Sequence, residues 1–225
     1  MRERLTETEE GVTLEPPVPA TGLVVWLHGL GADGHDFVPF VRELGLTERG
    51  LRVVLPHAPA RPIRAYRGYV MRAWCDVLHT DFGRDRDERG IDESVARVTA
   101  LLRAETARGI PPHRVVVAGF SQGGVVALEA GLRYPERLAG LIGLSTYLAL
   151  PDRLEAEASA ANRGLPVFIG HGDQDPIIPV GLGDQSARTL TAAGYLVEYR
   201  RYPMAHSVSP EEGSDVDGWL RSHLG

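Results

Sequence analysis

The sequence contains no lysine; all 24 basic residues are arginine. Without an ε-amine there is no Schiff-base lysine, no pyridoxal-phosphate anchor and no P-loop lysine, so the chemistries that need them are excluded. Cysteine is nearly as scarce. The single Cys75 allows no internal disulfide and agrees with a reducing cytoplasm, the expected location. Positive charge is in deficit, with 30 acidic residues and a formal net charge of −6, which argues against nucleic acid as a partner. No window approaches the roughly 18 apolar residues that span a bilayer, so no stable membrane insertion is expected. The opening "MRERLTETEEGVTLEPP" also lacks the apolar core of a secretory signal. Internal repeats and low-complexity tracts are missing as well.

What remains is a chain of 225 residues, 43% hydrophobic, a size that fits one α/β domain over 1–225. Six β-rich apolar runs punctuate it: "GLVVWLHG" (22–29), "LRVVLPHAP" (51–59), "VVVAGF" (115–120), "LAGLIGLS" (138–145), "LPVFIGHG" (165–172) and "YLVEYRRY" (195–202). Helical patterns alternate with them, at 35–45 (its later part, because of Pro39), 91–109, from the serine of "SQGGVVALEAGLRYP" to Pro135, at 182–194 and at 213–224. Asp92 is expected to cap the 91–109 helix. Strands alternating with helices predict a mostly parallel central sheet with helices on both faces. The acidic opening to about Pro19 reads as a frayed or edge segment. Residues 58–89 show neither period, and their part at about 58–80 is expected to form an irregular substrate-binding loop.

One quintet stands out, "GFSQG" (119–123). An apolar strand runs into Ser121 and a helix follows at once. Glycines on both sides permit a strained turn that lifts the hydroxyl out at the carboxyl edge of the sheet. The competing reading is a glycine-rich turn whose serine caps the helix. A serine nucleophile needs a base, and the base needs an orienting carboxylate. In this type of fold they follow in the order Ser, Asp or Glu, His. "HGDQDPIIP" (171–179) follows the fifth run and offers Asp173 and Asp175; "YPMAHSV" (202–208) follows the sixth and offers His206. An oxyanion donor is expected at the backbone N–H of Gln122, and a second in the glycine-rich loop "LHGLGADG" (27–34). That loop lacks the glycine spacing of a dinucleotide site, so a phosphate cradle is disfavoured.

"LHGLGADGHDF", "LPHAP", "RGYVMRAWCD", "AGFSQGG", "LSTYL", "HGDQDPIIP" and "YPMAHSVSPEE" run in order from Leu27 to Glu212. Together they resemble the phospholipase/carboxylesterase family of α/β-hydrolases, which includes bacterial carboxylesterases and acyl-protein thioesterases. The resemblance implies the α/β-hydrolase fold, with Ser121 as nucleophile, Asp175 rather than Asp173 as acid, His206 as base, and oxyanion donors on Leu30 and Gln122. Ala205 stands where the family commonly has glycine. Cys75 stands where an aromatic is frequent, which bears on substrate preference. No metal or organic cofactor is implied, and relatives of this kind often form dimers, so a homodimer is compatible.

Only about 30 residues separate Ser145 from Asp175, too few for a large cap domain. Access should therefore be open, with Ile63, Tyr69, Val70, Met71, Trp74, Ile177 and Ile178 as candidates to line an apolar acyl groove. The expected activity is a serine carboxylesterase acting on short- to medium-chain esters. The alternatives are a lysophospholipase or acyl-protein thioesterase, and a catalytically silent hydrolase-fold binding protein. His28 and His171 read as hydrogen-bonded structural histidines, and Cys75 as a packed thiol. Arg61, Arg64, Arg67 and Arg72 read as a solvated face rather than an anion site. A metal set of His28, His35 and Asp36 has no supporting ligand spacing.

Overall fold

Alternation within the apolar runs becomes two-sided burial. In β3 (Gly22–Leu27), Leu23, Val25 and Leu27 join one core, while Val24 and Trp26 join the other. In β7 (Val115–Phe120), Val115 and Val117 face the first core and Val116 and Ala118 the second. A strand buried on both faces belongs in the middle of a parallel sheet. The computed structural model, which describes residues 3–78 and 86–225, puts both strands there.

The other strands of the sheet are β1 (Arg4–Thr8), β2 (Gly11–Glu15), β4 (Leu51–Pro56), β8 (Gly140–Leu144), β9 (Pro166–Gly172) and β10 (Leu196–Tyr202). They form an eight-stranded sheet in the order β1-β2-β4-β3-β7-β8-β9-β10. Pairing is parallel from β4 to β10 and antiparallel where β2 meets β1 and β4. The acidic opening is thus an edge hairpin; β1 is exposed, and β2 buries Val12 and Leu14. Helices α2 (Glu88–Thr106), α3 (Gln122–Arg133) and α5 (Val180–Ala192) cover one face. The other is covered by α1 (Val38–Glu43) and α6 (Pro210–Leu224). Between β8 and β9 the only helix longer than a turn of 3-10 is the four-residue α4 (Leu154–Glu157), so no cap domain stands there.

Two expectations are corrected. Asp92 does not cap α2; the helix begins earlier, and Asp87 accepts the Gly90 amide at 3.0 Å. Asp92 instead pairs with Arg133 at 2.9 Å and with Arg153 at 3.1 Å. The apolar stripe that suggested the start at residue 91 begins one turn inside the helix, because the first turn is held by its cap and not by packing. The loop at 58–80 is also more regular than its lack of periodicity suggests. It holds a hairpin of β5 (Ala60–Ile63) and β6 (Tyr69–Arg72), paired Ala60 to Arg72 through Ile63 to Tyr69. Four-residue strands that lie off the main sheet are too short to display a period. Residues 79–80 of that loop lie outside the described residues.

Candidate active site

Ser121 occupies the turn between β7 and α3 with φ 55° and ψ −123°, a conformation side chains rarely adopt. It sits at the N-cap position, yet its side chain caps nothing. The capping alternative therefore leaves the hydroxyl unexplained. The flanking glycines are required by contact. A Cβ on Gly123 would lie 2.3 Å from the Leu27 carbonyl oxygen, and one on Gly119 would lie 2.3 Å from that of Gly123. Only without side chains can α3 start this close to the ends of β3 and β7.

The Ser121 hydroxyl instead meets His206, with Oγ 2.9 Å from Nε2. On the far side of the ring, Nδ1 lies 2.7 Å from Asp175 Oδ2. A carboxylate can only accept, so it holds the proton on Nδ1 and leaves Nε2 free to accept from the serine. The second oxygen of Asp175 accepts the amides of Ile177 at 2.8 Å and Ile178 at 2.9 Å. His171 backs this loop: its Nε2 donates to the Ile178 carbonyl at 2.9 Å, and its ring is wholly buried. Asp173, the other candidate acid, is exposed and pairs with Arg201.

The acid and base loops are tied to each other. Asp173 N donates to Tyr202 O at 2.8 Å and Gln174 N to Met204 O at 3.1 Å. Gly172 lies where a Cβ would meet the Ala205 carbonyl oxygen at 2.4 Å. Phe120 packs against the His206 ring with centroids 4.8 Å apart.

Of the two expected oxyanion donors, Gln122 supplies the first amide of α3, where helical amides have no intrahelical acceptor. Leu30 lies in the loop that follows β3. That loop is anchored by His28, whose Nδ1 bonds Gly29 O at 2.7 Å and whose Nε2 accepts the Ala58 amide at 3.0 Å. Burial holds the His28 pKa below its ordinary value, so the ring is neutral and both nitrogens are taken. It cannot also ligate a metal with His35 and Asp36, and His35 bonds Asp33 at 3.0 Å.

The expected groove residues separate into two groups. Ile63, Trp74 and Ile178 are interior, at 0%, 0% and 3% exposure. Tyr69, Val70 and Ile177 are exposed at 68%, 59% and 54%, and the half-buried Met71 faces Gly31 in the Leu30 loop. The arginines are largely occupied: Arg64 pairs with Asp76 at 2.9 Å, Arg61 with Asp87 at 4.0 Å, and Arg72 donates to Ala58 O at 2.9 Å. Cys75 is buried, and desolvation raises its pKa to about 12, so it is a thiol and no second nucleophile at neutral pH.

Two contacts at the site had no role in the sequence reading. Thr146 Oγ1 donates to the Ser121 carbonyl at 2.8 Å, steadying the strained turn. The Gln122 side chain bonds Trp74 N and Cys75 O, at 2.7 and 2.8 Å. "LSTYL" and "GFSQG" contain both residues, but nothing in either motif tells which way a side chain points.

The phospholipase/carboxylesterase family model matches residues 9–224. The chain belongs to this family. It is an α/β-hydrolase of a family of ester hydrolases. Acyl-protein thioesterase 1 of Gibberella zeae is 38% identical over 214 residues, covering 91% of each chain. Its counterpart in Cryptococcus neoformans var. neoformans serotype D is 33% identical over 228 residues, covering 94% of this chain and 96% of its own. Among solved structures, Arabidopsis thaliana SOBER1 superposes with a TM-score of 0.86 at 29% identity, covering 91% of this chain and 99% of its own. In this phospholipase/carboxylesterase chain, no helix among the described residues is long and apolar enough to cross a membrane.

Proposed function

We propose that this chain is a serine carboxylesterase that hydrolyses short- to medium-chain carboxylic esters through an acyl-enzyme. The observation that carries the reading is the hydrogen-bonded line from Ser121 Oγ through the His206 ring to Asp175. In the first half-reaction His206 Nε2 takes the Ser121 proton as Oγ bonds to the ester carbonyl carbon. The backbone N–H groups of Leu30 and Gln122 hold the oxyanion that forms. As the tetrahedral species collapses, the ester C–O bond breaks and the imidazolium returns its proton to the leaving alcohol. In the second half-reaction His206 takes a proton from water as it attacks the acyl carbon, and returns that proton to Ser121 Oγ as the acyl–oxygen bond breaks and the acid leaves. Asp175 keeps the imidazole in the productive tautomer and stabilises its charged form.

The preference for shorter chains rests on the groove. The candidate residues that reach solvent, Tyr69, Val70 and Ile177, are each more than half exposed, so no deep channel encloses them, while Ile63, Trp74 and Ile178 are committed to packing. An open surface desolvates a short acyl group well and a long one incompletely. A second reading, thioester cleavage of long acyl groups, is favoured by the names of the Gibberella zeae and Cryptococcus neoformans relatives, both acyl-protein thioesterases. It would use the same residues.

The test is turnover of p-nitrophenyl esters from acetate to palmitate, and of a palmitoyl thioester, by the protein and by Ser121→Ala. A maximum at short or medium esters that vanishes in the variant is the expected result. A preference for the palmitoyl thioester would replace the chain-length assignment with the second reading. Turnover that survives in Ser121→Ala would remove the serine from the mechanism.

A further inference from the structure

The stretch from Arg72 to Cys75 reaches both of the backbone segments that carry the proposed oxyanion donors. Toward the Leu30 loop, Arg72 O accepts the Gly31 amide at 2.9 Å, and the Trp74 indole N–H donates to His28 O at 2.8 Å. Leu30 thus lies between two residues bonded to the same short segment. Toward the nucleophile turn, the buried Gln122 side chain accepts from Trp74 N with Oε1 at 2.7 Å and donates to Cys75 O with Nε2 at 2.8 Å. These two partners decide which way round the amide sits, and they leave it no rotamer freedom. The far side of the segment is held by α2, whose Ser94 hydroxyl donates to Trp74 O.

We propose that the Gln122 side chain is a positioning group: it fixes the direction of its own backbone N–H and, through Arg72–Cys75, the separation of that donor from the Leu30 amide. This rests on the acyl-transfer reading given above. A residue that only filled the space beside Trp74 could be apolar. A primary amide, by contrast, meets one N–H and one C=O from consecutive residues, as a neighbouring strand would. The same segment continues from β6, which carries the groove candidates Tyr69, Val70 and Met71. A donor displaced by about 1 Å from the oxyanion can cost up to about 100-fold in rate.

The experiment compares the full-length protein with Gln122→Met, Gln122→Glu, Trp74→Phe and Ser121→Ala on a p-nitrophenyl ester, recording kcat, KM and the thermal midpoint. Gln122→Met keeps the length and loses both bonds; kcat is expected to fall about 10- to 100-fold with KM little changed. Gln122→Glu can restore both bonds only when protonated, so its kcat relative to the unsubstituted protein should rise as pH falls. Packing alone predicts no such trend. Trp74→Phe keeps an aromatic ring, a smaller one, and removes the bond to His28 O, and should lower kcat by a smaller factor. Unimpaired kcat in Gln122→Met, or a ratio for Gln122→Glu that is flat with pH, overturns the proposal. If Gln122→Met does not fold, unchanged kcat in Trp74→Phe together with a flat Gln122→Glu ratio overturns it equally. Turnover persisting in Ser121→Ala overturns the acyl-transfer reading itself, an outcome distinct from an inactive Ser121→Ala beside an unimpaired Gln122→Met.

Discussion

Asp175 divides its carboxylate between two tasks: Oδ2 holds His206 Nδ1 at 2.7 Å, and Oδ1 holds the amides of Ile177 and Ile178. The side chain is fully buried, so its orientation is fixed by what it bonds and not by solvent. In the proposed mechanism Asp175→Asn keeps the shape and loses the charge. The asparagine amide would face Nδ1 as a donor and drive the proton to Nε2, where it blocks acceptance from Ser121. The expected outcome is a fall in kcat of about 10³–10⁴ with KM little changed, measured by steady-state kinetics.

Ser121 bears backbone strain that its proposed role explains. At φ 55° and ψ −123° a residue with a Cβ costs on the order of 1–3 kcal/mol, and glycine relieves it. Ser121→Gly should therefore be inactive yet more stable than Ser121→Ala. A difference of about 1 kcal/mol would separate the two midpoints by about 2–4 °C, readable by calorimetry. Equal midpoints would show that the turn stores no strain.

Glu212 lies near the start of α6 with both carboxylate oxygens buried and, among the described residues, without a hydrogen-bond partner, close against Gly170 of β9. Burial first, and the nearby Asp215 second, raise its pKa from 4.5 to about 8. The folded state then binds a proton that the unfolded state has released between these two values. Stability contributed by this group is present at low pH, declines from about 4.5 upward and is lost as pH rises through about 8. Glu212→Gln mimics the neutral acid. Its thermal midpoint should match the parent's near pH 4.5, and the advantage of the variant should grow up to about pH 8. A parent-to-variant difference that does not change with pH would refute the assignment.

Much of this was legible in the sequence for a physical reason. A central parallel strand must be apolar on both faces, and the runs at 22–27, 115–120 and 166–172 declare this locally. The strand–Gly-x-Ser-x-Gly–helix succession likewise implies the tight turn, because a Cβ on Gly119 or Gly123 would overlap backbone. Ser121, Asp175 and His206 could be ordered because each follows a strand and so reaches the same sheet edge. The start of α2 was misplaced because Asp87 and Asp92 both suit an N-cap, and only the chain path through Asp76 and Arg61 brings Asp87 into place.

The sequence by itself determined the six parallel strands of the sheet and the alternation of helices around them, and it set a serine, a choice of two acids and a histidine in order after three of those strands. Each follows from local pattern, apolar period and glycine at a turn, which survives in one dimension. Spacing left Asp173 and Asp175 open and the family resemblance pointed to Asp175, which the tertiary structure places against His206. Only the tertiary structure decided that Ile63, Trp74 and Ile178 are core and that the Gln122 side chain reaches Trp74. The last pair stands 48 positions apart in the chain. Such contacts are set by how packed elements bring distant backbone together, and short motifs carry no record of the direction in which a side chain will find its partner.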